Sequence, residues 1–102
     1  MEISTRLIEN KVEILIFGVM NDYAEYLEMK NIIKSKIDEN LGLVFYFVNA
    51  NSISSYILGY ILKLKEIDKR NIDIIVSNAK LYNFLRNIDF DRFFDIKIKE
   101  YE

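Results

Sequence analysis

"LVFYFVNANSISSYILGYILKL", residues 43 to 64, decides how the chain is built. Its first six residues are apolar on both parities and rich in aromatic and branched side chains, which suits a central strand buried on both faces. A polar, serine-rich turn follows, and after it the apolar residues change period. With about 100° per residue, Ile57, Ile61, Leu64 and Ile67 fall on one stripe of a helix, widened by Leu58 and Leu62 on one flank and Tyr60 on the other. Ser55, Gly59, Lys63 and Glu66 fall on the opposite side. A buried strand leading through a cap into an amphipathic helix is the half-unit of an α/β fold.

The same unit recurs on either side. "EISTRLI", residues 2 to 8, alternates Ile3, Thr5 and Leu7 against Ser4 and Arg6, as an edge strand with one wet face does. A short polar turn at Glu9 and Asn10 leads into "VEILIFG", a second strand ended by Gly18, and so short a connection favours an antiparallel hairpin. Asn21 or Asp22 can cap the next helix, along which Tyr26, Met29, Ile33 and Ile37 recur at helical spacing. Beyond the quoted stretch, "IDIIV", residues 72 to 76, reads as a further buried strand. Asn78 can cap a short helix carrying Leu81, Phe84 and Leu85, and "FDIKIKEY" alternates as a last edge strand.

The order is β-β-α-β-α-β-α-β. Right-handed crossovers make the strands parallel from the second onward, with the first antiparallel at one edge. The expected fold is therefore α/β, a mixed and mostly parallel five-stranded sheet with three to four helices. At 102 residues the chain has room for one domain, residues 1 to 102, around one core.

Composition narrows the chemistry. The chain has no His and no Cys, which removes thiolate nucleophiles, imidazole bases, nearly all zinc chemistry and any disulfide framework. Asp22, Glu25 and Glu28 lie close together on the first helix, but carboxylates on a helix face ordinarily make a solvated surface. No catalytic residue, metal or cofactor is expected, and the chain does not read as an enzyme. Net charge is -2 with Lys and Arg scattered among acids, so no basic stripe is present to neutralise nucleic-acid phosphates. No apolar run approaches the roughly 18 residues of a membrane span, and "MEISTRLIENK" lacks the apolar segment of a signal peptide. A cytoplasmic location without membrane insertion is expected.

The serines are the remaining polar feature of note. Ser54 turns toward the core edge and is the better helix cap, with Ser52 the alternative, and a serine-rich N-cap is the simplest account of all three. Ser55 points outward in the first helical turn. A phosphate there would meet unpaired amides and the positive end of the helix dipole, and would change the surface charge by nearly two units.

The element order and these segments together resemble the STAS domain family, named for sulfate transporters and anti-sigma factor antagonists, over nearly the whole chain. "IFGVMNDYA", residues 16 to 24, is similar to the family's strand end and first helix start. "ISSYILGYIL", residues 53 to 62, is similar to the Asp-Ser-Ser/Thr-Gly-Leu signature, with Ser54 at the Asp, Ser55 at the phosphorylated Ser, Tyr56 at the next small residue, Ile57 at the Gly and Leu58 at the Leu. "SNAKLYNFLRNIDFDRFFDI", residues 77 to 96, looks like the family's Asn-containing turn, short helix and final strand. The chain departs from the pattern at Ser54 and Ile57, and at Tyr46, where an Asp is common.

The resemblance implies a STAS-like fold and a regulatory protein-interaction module of the anti-sigma factor antagonist type. Its partner would be a serine kinase that doubles as an anti-sigma factor, and it could also form a homodimer. Ser55 is the implied phosphoacceptor and Ser54 the second choice. The expected partner surface comprises Asn21, Asn51, Ser54, Ser55, Tyr56, Gly59 and Lys63. A second reading, favoured by the changed signature, is a subunit without a phospho-switch, held constitutively in a stressosome-like or transporter-associated assembly.

Overall fold

In a computed structural model, which describes residues 2–19 and 22–101, the chain forms a five-stranded mixed sheet with three helices. The strands are β1 (Glu2–Ile8), β2 (Lys11–Phe17), β3 (Gly42–Val48), β4 (Ile72–Val76) and β5 (Ile96–Ile98). The helices are α1 (Tyr23–Lys36), α2 (Ser55–Glu66) and α3 (Ala79–Asn87), and a single 3-10 turn at Phe90–Arg92 precedes β5. Strand order across the sheet follows the sequence, with β1 antiparallel to β2 and the remaining pairs parallel. Element order, central β3 and antiparallel edge all match the sequence reading.

Local chemistry explains the boundaries. Glu9 takes a left-handed φ of 54° to turn β1 back into β2, a conformation that costs a side-chain residue some strain. Gly18 ends β2 at a φ of 83°, a conformation that glycine adopts without steric penalty. Asp22 caps α1 by accepting from the Glu25 amide at 2.9 Å, and Asn78 caps α3 by accepting from Leu81 at 2.8 Å. Asn78 also donates to the Ala50 carbonyl at 3.1 Å, tying the start of α3 to the chain just before α2.

Because each crossover moves one strand in the same direction with the same hand, all the helices land on one face of the sheet. The strands supply three rows to that face: Val12, Leu43 and Ile72; Ile14, Phe45 and Ile74; Ile16, Phe47 and Val76. Met29 and Ile33 of α1, Ile57, Ile61 and Leu64 of α2, and Leu81 and Leu85 of α3 close over them to make the main core. On the other face Leu15, Tyr46 and Val48 form a separate small cluster flanked by Phe17 and Ile75. No helix covers it. Instead the chain after β5 returns across the sheet, so that Tyr101 meets the rings of Phe17 and Tyr46 edge-on at 5.1 and 5.8 Å. The Tyr46 hydroxyl donates to the Lys99 carbonyl at 2.5 Å.

Charged residues occupy the rest of that second face. Arg6 grips the buried Glu13 of the neighbouring strand with Nε and Nη2, at 2.8 and 2.7 Å. Lys11 reaches over β3 to Asp73 at 2.7 Å. Gly42 is the register partner of Lys11, and an added Cβ there would stand 3.2 Å from Lys11 Cγ.

Two expectations change in detail. Leu7, on the side of β1 expected to be dry, is 67% exposed, because that side of the edge strand extends beyond the helical layer. Ile67, assigned to the core stripe of α2, is 70% exposed. The helix ends at Glu66, and the chain turns away once the Ile67 amide has bonded to Lys63. Among the described residues, no helix is long and apolar enough to cross a membrane.

Candidate functional site: the start of the second helix

Strand β3 delivers the chain to the sheet's carboxyl-terminal edge, where Asn49 takes a left-handed φ of 58° and its amide bonds to the Ser77 hydroxyl at 3.0 Å. Ala50 and Ile53 are buried while Asn51 and Ser52 are exposed, so the loop is pinned by its apolar residues and displays its polar ones. Helix α2 then begins at Ser55, with Ser54 as its N-cap in an extended conformation.

The serines separate clearly. Ser55 is exposed in the first turn, and Gly59 and Lys63 follow it at intervals of one turn, also exposed. Three residues at i, i+4 and i+8 share one helix face. At Gly59 nothing lies within 4 Å of where a Cβ would stand, so its backbone faces open space. Ser54 occupies the cap position, but its side chain makes no capping bond. Its hydroxyl is buried without a hydrogen-bond partner among the described residues. The Ser54 carbonyl instead accepts from the amides of Ile57 and Leu58, at 3.2 and 3.1 Å. Ile57 is buried, so its bulk lies inside the core and leaves the surface beside Ser55 unchanged. Asn51 is exposed, and Asn21 lies outside the described residues.

Tyr56 is half exposed on the flank facing α1, and its ring meets Tyr23 edge-on at 5.2 Å and stacks on Tyr26 at 5.8 Å. Tyr26 in turn meets Tyr60 edge-on at 5.9 Å, and Lys30 Nζ lies 5.7 Å from the centre of the Tyr60 ring. Such pairs hold two helices together beyond the area they bury. Sequence reasoning singled out Tyr56 and left Tyr23 unmentioned, although Tyr23 is as exposed as its neighbour. The signal was the i, i+3 spacing of Tyr23 and Tyr26, which puts both rings on one side of α1.

Tyr60 differs from the ordinary border tyrosine, whose ring packs and whose hydroxyl stays wet. It is only 3% exposed, and its hydroxyl has no hydrogen-bond partner among the described residues. Burial pushes its pKa up from the usual 10.0 to about 12, with Tyr26 and Asp68 adding to the rise and Arg70 opposing it. The aromatic residues Phe45, Tyr46 and Phe47 of β3 are all core.

No protein-family model matches the chain, and no curated protein matches its sequence. Among the described residues, no group of three carboxylates comes together in a way that could hold a metal ion. At this end of the molecule the chemistry on display is an exposed hydroxyl on a helix's first turn, a bare glycine, a lysine and an aromatic flank.

Proposed function

We propose that this chain is a regulatory protein-interaction module of the anti-sigma factor antagonist type, with a STAS-like fold, which binds a serine kinase or related regulatory protein through the exposed start of α2. Ser55 is the residue that receives phosphate. The observation that carries this reading is the contrast between adjacent serines: Ser55 is exposed while the Ser54 hydroxyl is buried. A kinase can reach only the first. Ser55 opens a helix of 12 residues, and the amides ahead of Ile57 precede the first intrahelical bond to the Ser54 carbonyl, so a phosphate of nearly two negative charges is stabilised there. Gly59 and Lys63 extend the same surface away from the phosphate, and Tyr23 and Tyr56 supply an apolar border of the kind that anchors protein contacts.

Incubation with ATP and the serine kinases of the source organism, read by mass spectrometry, is the direct test. The expected outcome is label at Ser55, abolished in Ser55→Ala. Ser55→Asp is expected to weaken binding of the native partner about tenfold or more, since an unneutralised charge is placed in a desolvated contact. The second reading, a constitutive subunit without a switch, draws on Ser54 standing where the signature has an acid. It requires no label from any kinase and undiminished partner affinity in Ser55→Asp.

A further inference from the structure

At the other end of the helical layer from Ser55, the ends of α1 and α2 and the loops leading into β3 and β4 border a half-open cleft of about 580 Å³. Clefts that hold small molecules are roughly 300 to 1,000 Å³. Ile33 and Leu64 give it an apolar floor, and Lys34 and Lys63 stand exposed along its side.

Two buried polar groups in its wall, the Tyr60 hydroxyl and Arg70 Nε, have no hydrogen-bond partner among the described residues. Arg70 is held in place by its Nη2, which donates to the carbonyls of Asp38 and Leu41 at 3.0 and 2.8 Å. The guanidinium is thus anchored to the loop while its Nε–H is left unused. Tyr60 is held by its ring, which meets Tyr26 edge-on at 5.9 Å, and like Arg70 it lines the cleft. Buried donors without acceptors are destabilising, and a fold that positions two of them around one cleft is complementary to something that accepts.

The charges define the acceptor further. Arg70 is permanently cationic. Asp68 is already engaged by Lys63, at 3.6 Å. Glu39, on the loop between α1 and β3, also borders the cleft but is exposed to solvent, and Lys34 and Lys63 stand against it in the same lining. The raised pKa keeps Tyr60 protonated, hence a donor, throughout the neutral range. We propose that this cleft binds a small organic anion, whose carboxylate or phosphate oxygens accept from the Tyr60 hydroxyl and Arg70 Nε once a small shift of the wall uncovers these buried donors, while its apolar part lies against Ile33 and Leu64.

The proposal does not rest on phosphate at Ser55, although Lys63 borders both surfaces. Its test is titration of the isotopically labelled protein with benzoate and with phenyl phosphate, followed by amide and side-chain chemical shifts, with benzyl alcohol as the uncharged control. Saturable shifts confined to the cleft are expected for at least one anion and not for the alcohol, and the better anion identifies the headgroup. Tyr60→Phe, which removes one oxygen and keeps the ring, is expected to weaken binding about tenfold, the loss of a charge-assisted hydrogen bond. Arg70→Lys is expected to do the same, and if losing its hold on the loop unfolds that variant, Tyr60→Phe decides. Ser55→Asp is expected to leave the anion affinity unchanged. No saturable shift with either anion at about 20 mM, equal binding of the alcohol, or undiminished affinity in Tyr60→Phe would overturn it; the millimolar limit is set at the weak end of small-ligand affinity.

Discussion

Tyr46 and Tyr60 are both almost completely buried, one on each face of the sheet, yet their hydroxyls meet opposite surroundings. Tyr46 lies on the face without helices, and its hydroxyl is taken up by the Lys99 carbonyl of the returning tail. Tyr60 lies in the helical layer, and its hydroxyl has no partner among the described residues. The face that looks less protected satisfies its polar atom. The face closed by three helices leaves the Tyr60 hydroxyl over, beside a cleft, and Ser54 Oγ and Arg70 Nε with it. Burial and satisfaction are thus separate properties, and a tail of a few residues can supply the second where whole helices do not.

The largest test of the difference between the faces uses adjacent residues of β4. Ile74 points into the helical layer and is buried, whereas Ile75 points to the tail side and is half-buried. Ile74→Ala is expected to cost about 3 to 4 kcal/mol and Ile75→Ala about 1 to 2 kcal/mol in denaturant unfolding, since the cost follows the volume that cannot collapse. Equal losses would mean that the tail closes its face as tightly as the helices close theirs.

The next effect is one of pH. Folded Tyr60 keeps its proton to about pH 12, while the unfolded chain releases it near 10, so the folded state holds more protons between those values. Its contribution to stability is complete below pH 10 and is lost as pH rises through 12, by roughly 2 to 3 kcal/mol at about 1.4 kcal/mol per unit. Subtracting the pH profile of Tyr60→Phe from that of the unmodified protein isolates this loss from the other tyrosines. A flat difference would show that the hydroxyl is hydrated after all.

The smallest effect is the sharpest comparison. At neutral pH Tyr46→Phe is expected to destabilise by about 1 kcal/mol, because it leaves the Lys99 carbonyl without its donor. Tyr60→Phe is expected to be neutral or slightly stabilising, because it removes a polar atom that the protein does not satisfy. Reversal of the two signs, read by thermal unfolding, would break the contrast between the faces.

Much of the scaffold was legible in the chain. Period-two and period-3.6 patterns are local, so "LVFYFV" and the stripe of Ile57, Ile61 and Leu64 declared their structure without knowledge of their neighbours. Asp22 and Asn78 announced their caps because a capping side chain bonds only two or three residues ahead. Ser54 shows where that logic stops. Its position as the cap and its turn toward the core were readable, but its hydroxyl is buried and makes no capping bond, which spacing alone does not reveal. Ile67 shows the same limit at the other end of the helix, where a departing chain overrides a continued pattern.

The candidate surface around Ser55 was readable in large part because it is one helix face, and a helix face follows from spacing alone. The cleft at Tyr60 and Arg70 was not. Tyr60 carried only the signal of a flanking aromatic, and Arg70 that of one charge in a polar loop, and the two are brought together by the way α1, α2 and two loops meet. The sequence by itself determined the order of elements, the parallel sheet, the outward turn of Ser55 and the absence of His and Cys chemistry. Only the tertiary structure decided that all helices share one face, that the tail serves the other, and which buried polar atoms find partners. Those outcomes depend on contacts between residues far apart in the chain, and no local period encodes them.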